Sequence, residues 1–143
     1  MLKKIPPALN GDLLKILRDM GHGDELTISD ANYPSASNHQ RVVRLDGISM
    51  TDALAYILDI FPLDDFVDSP AFLMSPGPGE TAPLMGVVQP IVDKAHGKPV
   101  KVTATPRFDF YKQAHQSYAC VATAERRLYG DIIIKKGILR PGE

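Results

Sequence analysis

The sequence has no tryptophan, one cysteine and only 7% aromatic residues in 143. So few rings leave no stacking platform of the kind that binds single-stranded nucleic acid. The lone cysteine, Cys120, can close neither an intrachain disulfide nor a cysteine-based zinc site, which points to a reducing, cytoplasmic setting. Charge of one sign is lacking too: 16 basic against 17 acidic residues leave a net −1. That balance lacks the electrostatic footprint of a nucleic-acid binder or a polybasic membrane binder. No apolar run approaches the ~18 residues of a membrane span. The short run after Lys4 is broken by Pro6, Pro7 and Asn10, and does not make a signal core. Gly-x-Gly-x-x-Gly, the Walker loop, the nucleophile elbow and His-x-x-x-His are all missing. Pro76-Gly77-Pro78-Gly79 superficially suggests a phosphate loop, but its prolines remove the amide donors such a loop needs. His39, His96 and His115 stand isolated and read as surface residues, and ligands for a metal are few.

What is present is ordinary globular composition, 44% hydrophobic and 23% charged. The length suits one domain, residues 1–143, with a single core. Leu13, Ile16, Leu17 and Met20 form a helical stripe after a capping Asn10, with Gly21 placed to end it. Leu26 and Ile28 alternate with polar neighbours, a strand that ends at Asp30; residues 31–38 read as a loop and 41–45 as a second strand. Ser49 and Asp52 resemble a capping box for a helix through Phe61. Residues 71–74 read as a buried strand. A stripe from Leu84 to Ala95 reads as a helix that Pro90 should kink or divide. Strands at 100–104, 118–123 and 131–134 and a helix at 108–116 complete the chain. The alternation of strands and helices implies an α/β fold with a mostly parallel sheet flanked by helices.

Four stretches carry side chains suited to chemistry. In Gly21-His22-Gly23-Asp24 an imidazole stands between two glycines that give a ligand room, with Asp24 near enough to orient it. The same residues also make a plain polar turn. Asp30 lies just beyond a strand's carboxyl end, where open α/β sheets bind ligands, although an Asx-turn explains it equally well. Arg107 follows another strand and offers a planar fork of donors. Tyr129-Gly130-Asp131 supplies hydrogen-bonding groups around a residue that lets backbone come close, or simply a tight turn.

Taken together, GHGDEL at 21–26, SDANYP at 29–34, PRFDFY at 106–111 and ERRLYGDIIIKKG at 125–137 resemble the sugar mutarotase family that includes L-fucose mutarotase and D-ribose pyranase. Order and spacing match over nearly the whole chain. The resemblance implies the family's α/β fold and a cofactor-free isomerase that interconverts the α and β anomers of a free monosaccharide, with L-fucose the nearer case. Pyranose–furanose exchange of ribose and a non-catalytic sugar-binding or transport-accessory role are its alternatives. It assigns His22 as proton donor and Asp30, Arg107, Tyr129, Gly130 and Asp131 to the sugar, with Asp24 expected to tune His22 and with Tyr129, Asp131 or water as the base at the anomeric hydroxyl. The family carries Asn where this chain has Asp131, and an ionised Asp cannot donate a hydrogen bond. The resemblance also implies a ring-like homo-oligomer, a decamer among the candidates, with each site shared between neighbouring subunits.

Overall fold

Short polar caps start two of the five helices. In the computed structural model, which describes residues 1–143, the Asn10 side chain accepts the Leu13 N–H at 2.9 Å and opens helix α1 (Gly11–Asp19). Strand β1 (Glu25–Ser29) follows, then the single helical turn α2 (Ser35–Asn38) and strand β2 (Val42–Leu45). Ser49 Oγ accepts the Asp52 N–H at 3.1 Å and starts α3 (Met50–Leu58). Next come β3 (Ala71–Ser75), α4 (Met85–His96), β4 (Val102–Pro106), α5 (Arg107–His115), β5 (Ala119–Thr123) and β6 (Ile132–Lys135).

Two elements differ from the sequence reading. Helix α4 runs unbroken through Pro90. The carbonyl that Pro90 leaves without a partner belongs to Gly86, and both residues are exposed. Water can therefore serve that carbonyl, and Gly86 has no Cβ to crowd the proline ring. The loop after β1 contains α2, wound around one buried hydroxyl. Asn38 Nδ2 donates to Tyr33 Oη at 2.7 Å, and His39 Nε2 pairs with the same oxygen at 2.9 Å. His39 is thus half-buried against Tyr33 rather than an isolated surface residue. A single turn has no apolar periodicity to reveal it.

The six strands lie in the order β2-β5-β1-β6-β3-β4. Every neighbouring pair is parallel except those of β6, which runs antiparallel between β1 and β3. Ile132, Ile133 and Ile134 are each fully buried, as a strand covered on both faces requires. Each such side chain contributes about 1.5–3 kcal/mol of burial. Ile132 and Ile134 join the main core with Leu13, Leu26, Ile28, Leu54, Leu73 and Val88 on the face covered by α1, α3 and α4. Ile133 points the other way, to a smaller cluster with Met74, Cys120 and Phe110 beneath α5. No helix is long and apolar enough to cross a membrane.

The direction of β6 decides where chemistry can gather. Because it runs against its neighbours, the residue before it, Asp131, lands at the rim where β1, β3 and β4 end. The register Ile28↔Ile132↔Leu73 puts Asp131 between the ends of β1 and β3.

Candidate active site

Asp131 is tied to both flanking strands. Its carbonyl accepts the Met74 N–H at 3.0 Å, and its Oδ1 accepts the Asp30 N–H at 2.8 Å. Asp30 forms the anticipated Asx-turn, with Oδ1 accepting the N–H groups of Asn32 and Tyr33, each at 2.9 Å. The turn and a ligand role are compatible, because the turn uses only one carboxylate oxygen. Asp30, Tyr33, Met74, Arg107, Tyr111, Leu128, Tyr129 and Asp131 line a cavity of about 230 Å³ with Asn32 at its edge. That volume falls below the ~300 Å³ at which drug-sized ligand clefts begin. The cavity lies outside the carboxyl ends of the strands, where open α/β sheets bind their ligands.

Arg107, the first residue of α5, is delivered to the rim by β4. Its Nε donates to Tyr111 Oη at 3.3 Å, and its guanidinium lies 5.5 Å from the Tyr111 ring centroid. Its terminal amino groups are left to face a ligand. Tyr129 has a positive φ of 59°, an uncommon conformation for a bulky residue, which typically costs ~1–3 kcal/mol. Gly130 behind it has no room for a side chain: a Cβ there would lie 2.6 Å from Glu125 Cγ and 2.9 Å from the Arg127 carbonyl oxygen.

A brace between buried Glu125 and exposed Arg127 sets that turn. Glu125 accepts Arg127 Nε at 2.9 Å and Nη2 at 2.7 Å through separate oxygens, and the Arg127 N–H at 2.9 Å. Arg127 Nη2 also donates to Thr51 Oγ1 at 3.0 Å on α3. The Arg127 guanidinium, helped by the Arg127 and Met50 amides, holds the Glu125 carboxyl down at about 2 against the opposing effect of burial. Asp131 is shifted the other way, well above the ordinary carboxylate range. Burial is the main cause and the Asp30 charge the second, only partly offset by the Asp30 N–H.

His22 does not join this group. It precedes β1, at the opposite rim, together with the carboxyl end of β6, where the Gly23 N–H donates to the Lys136 carbonyl at 2.8 Å. Residues 24 to 30 run the length of β1, so at ~3.4 Å per residue His22 lies ~20 Å from Asp30. Its partner there is Asp64, whose Oδ1 is 3.0 Å from His22 Nε2, and its ring tilts against Phe66 with centroids 5.2 Å apart. Asp64 is only 3% exposed and also accepts the Phe66 N–H at 3.0 Å. This corrects the expectation for Asp24: its Oδ2 accepts the Gly21 N–H at 2.7 Å, closing the turn that presents His22, and Asp64 orients the ring. Asp64 lies 42 residues away in sequence, with no local signal to mark it. Tyr33, Tyr111, Glu125 and Arg127 carry no role in the sequence reading, although all four fall within the motifs quoted there.

The sequence pattern of the RbsD / FucU transport protein family matches residues 3–139. The L-fucose mutarotase of Actinobacillus pleuropneumoniae serotype 5b is 42% identical over 146 residues, covering 96% of this chain and 97% of that protein. The crystal structure of the Streptococcus pneumoniae fucose mutarotase in complex with L-fucose matches with a TM-score of 0.88 at 42% identity, over 97% of this chain and 100% of that one. Bacillus subtilis RbsD complexed with D-ribose shares the fold at 20% identity, with a TM-score of 0.69, over 98% of this chain and 100% of that one. The polar rim cavity thus sits in a fold shared along its whole length, and the chain belongs to the RbsD / FucU family.

Proposed function

We propose that this protein is a mutarotase that interconverts the α and β anomers of L-fucose. The observation that carries the reading is the rim cavity, where two carboxyl groups, three tyrosines and an arginine converge on a space suited to one monosaccharide. The relatives named for fucose supply the sugar. Ring opening needs a proton delivered to the ring oxygen and one removed from the anomeric hydroxyl; the open aldehyde rotates and recloses on the other face. Asp30 and Arg107 grip hydroxyls, Gly130 lets the turn approach, and Tyr129 exchanges the anomeric proton. His22 suits delivery to the ring oxygen, since an imidazole gives and takes protons near neutral pH.

Within one chain His22 is ~20 Å from the cavity, beyond the opposite end of β1. The catalytic unit is therefore an oligomer in which the His22 rim of one copy closes the cavity of the next, an arrangement that a closed ring provides.

The test is magnetisation exchange between the α and β signals of L-fucose. Wild type should exceed the spontaneous rate, while H22A and D30N should each fall back to it. Mixing the two variants with subunit exchange should restore about a quarter of wild-type activity, because half the cavities and half the histidines are intact and pair at random. Unchanged exchange in H22A, or no recovery on mixing, would overturn His22 donation from a neighbouring copy. Exchange confined to the pyranose and furanose signals of ribose would replace fucose as the substrate.

A further inference from the structure

We infer that Asp131 enters the cavity as a neutral carboxylic acid and donates a hydrogen bond to an oxygen of the bound sugar. The inference rests on the sugar-binding reading above and deepens it. Asp131 is 2% exposed, and neither it nor Asp30 forms an ion pair with a lysine, arginine or histidine. Two carboxyls this close, away from bulk water, do not both ionise readily. The two are not equally served: Asp30 Oδ1 accepts two backbone N–H groups, while Asp131 Oδ1 accepts one. The single negative charge therefore stays with Asp30 and the proton with Asp131. Asp131 Oδ2 accepts no hydrogen bond from the protein, yet no fully buried side-chain oxygen lacks a partner, so Oδ2 opens on the cavity that Asp131 lines, where a sugar oxygen competes with the Asp30 carboxylate for the proton.

The groups around Asp131 reinforce this state. Asp30 stands at the end of β1 and Glu125 beyond β5, both acidic. Tyr33 and Cys120 are neutral neighbours whose own ionisation the Asp131 charge would oppose. Tyr129 and Tyr111 also line the cavity. Arg107 is the one cation this chain places there, its Nε directed to Tyr111 Oη, and the His22 of a neighbouring copy joins it only in the oligomer proposed above. A neutral carboxyl supplies both a donor and an acceptor, whereas a carboxylate could only accept. Beside Asp30, which only accepts, a donor lets the pair clasp adjacent hydroxyls of opposite polarity.

The test uses the intact protein with ¹³C-carboxyl-labelled aspartate. Infrared spectra without sugar should show a protonated-carboxyl band at pH 7 that D131N removes. Fucose affinity, followed by saturation-transfer NMR, should fall by up to ~10-fold per pH unit once Asp131 ionises, and D131N, which keeps a donor, should abolish that fall. D131A should bind weakly at every pH. Absence of the band with fucose still bound would overturn the inference alone, as would a D131N pH profile parallel to wild type. A band present with no fucose bound at any pH would overturn the mutarotase reading and the donor role with it.

Discussion

Replacing Glu125 by Gln tests how the sugar-facing turn is held. The carboxylate takes two guanidinium N–H bonds and the Arg127 amide, and lies at the N-terminus of α3, where negative charge is favoured. Its value of about 2, against an ordinary 4.5, corresponds to ~3 kcal/mol at ~1.36 kcal/mol per pH unit. The Arg127 side chain is 44% exposed, and solvent screening lowers the realised loss to ~2 kcal/mol. With a urea m-value of ~2 kcal/mol per molar, E125Q should lower the midpoint by ~1 M at pH 7 and fixed protein concentration. The difference should depend on pH. Between about 2 and the unfolded value near 4.5, the unfolded chain binds more protons, so stability there rises with pH. The contribution is complete above the unfolded value and is lost as pH falls through about 2. Wild type and E125Q should therefore converge in acid, while other carboxylates titrate alike in both. A midpoint difference that persists unchanged down to pH 2, or no difference at neutral pH, would refute the ionised brace.

Gly130→Ala places a Cβ against Glu125 Cγ, whose carboxylate Arg127 pins, and against a carbonyl oxygen. It should cost ~1–3 kcal/mol by urea unfolding and weaken fucose binding in saturation-transfer NMR. Wild-type stability and affinity in this variant would show that the turn has slack. Asp64→Asn removes the carboxylate that orients His22 and should lower kcat ~10²-fold, near the low end of a general acid's contribution, with KM little changed. In an H22A background it should leave fucose affinity by saturation-transfer NMR unchanged, and weaker binding would show that Asp64 acts elsewhere.

The legible parts of this protein are those governed by near neighbours. Asn10 and Ser49 cap helices through amides three residues on. The apolar stripe of α1 follows from helical repeat, and the burial of Ile132 to Ile134 from an unbroken run of branched side chains. Asp30 and Arg107 could be named as candidates because each follows a strand. Pro90 misled because its effect depends on what faces it: exposed Gly86 leaves both water and space.

The sequence by itself determined the alternation of strands and helices, their caps, and which stretches carry polar groups able to act. Tertiary structure decided which of those groups meet. Reversal of β6 carries Asp131 to the end of β1, where burial and Asp30 together favour its protonated form. The same strand length holds His22 at the far rim, on Asp64 rather than Asp24. Hydrogen bonds and charge interactions act over a few ångströms of space, and only the folded sheet sets which residues fall within that reach.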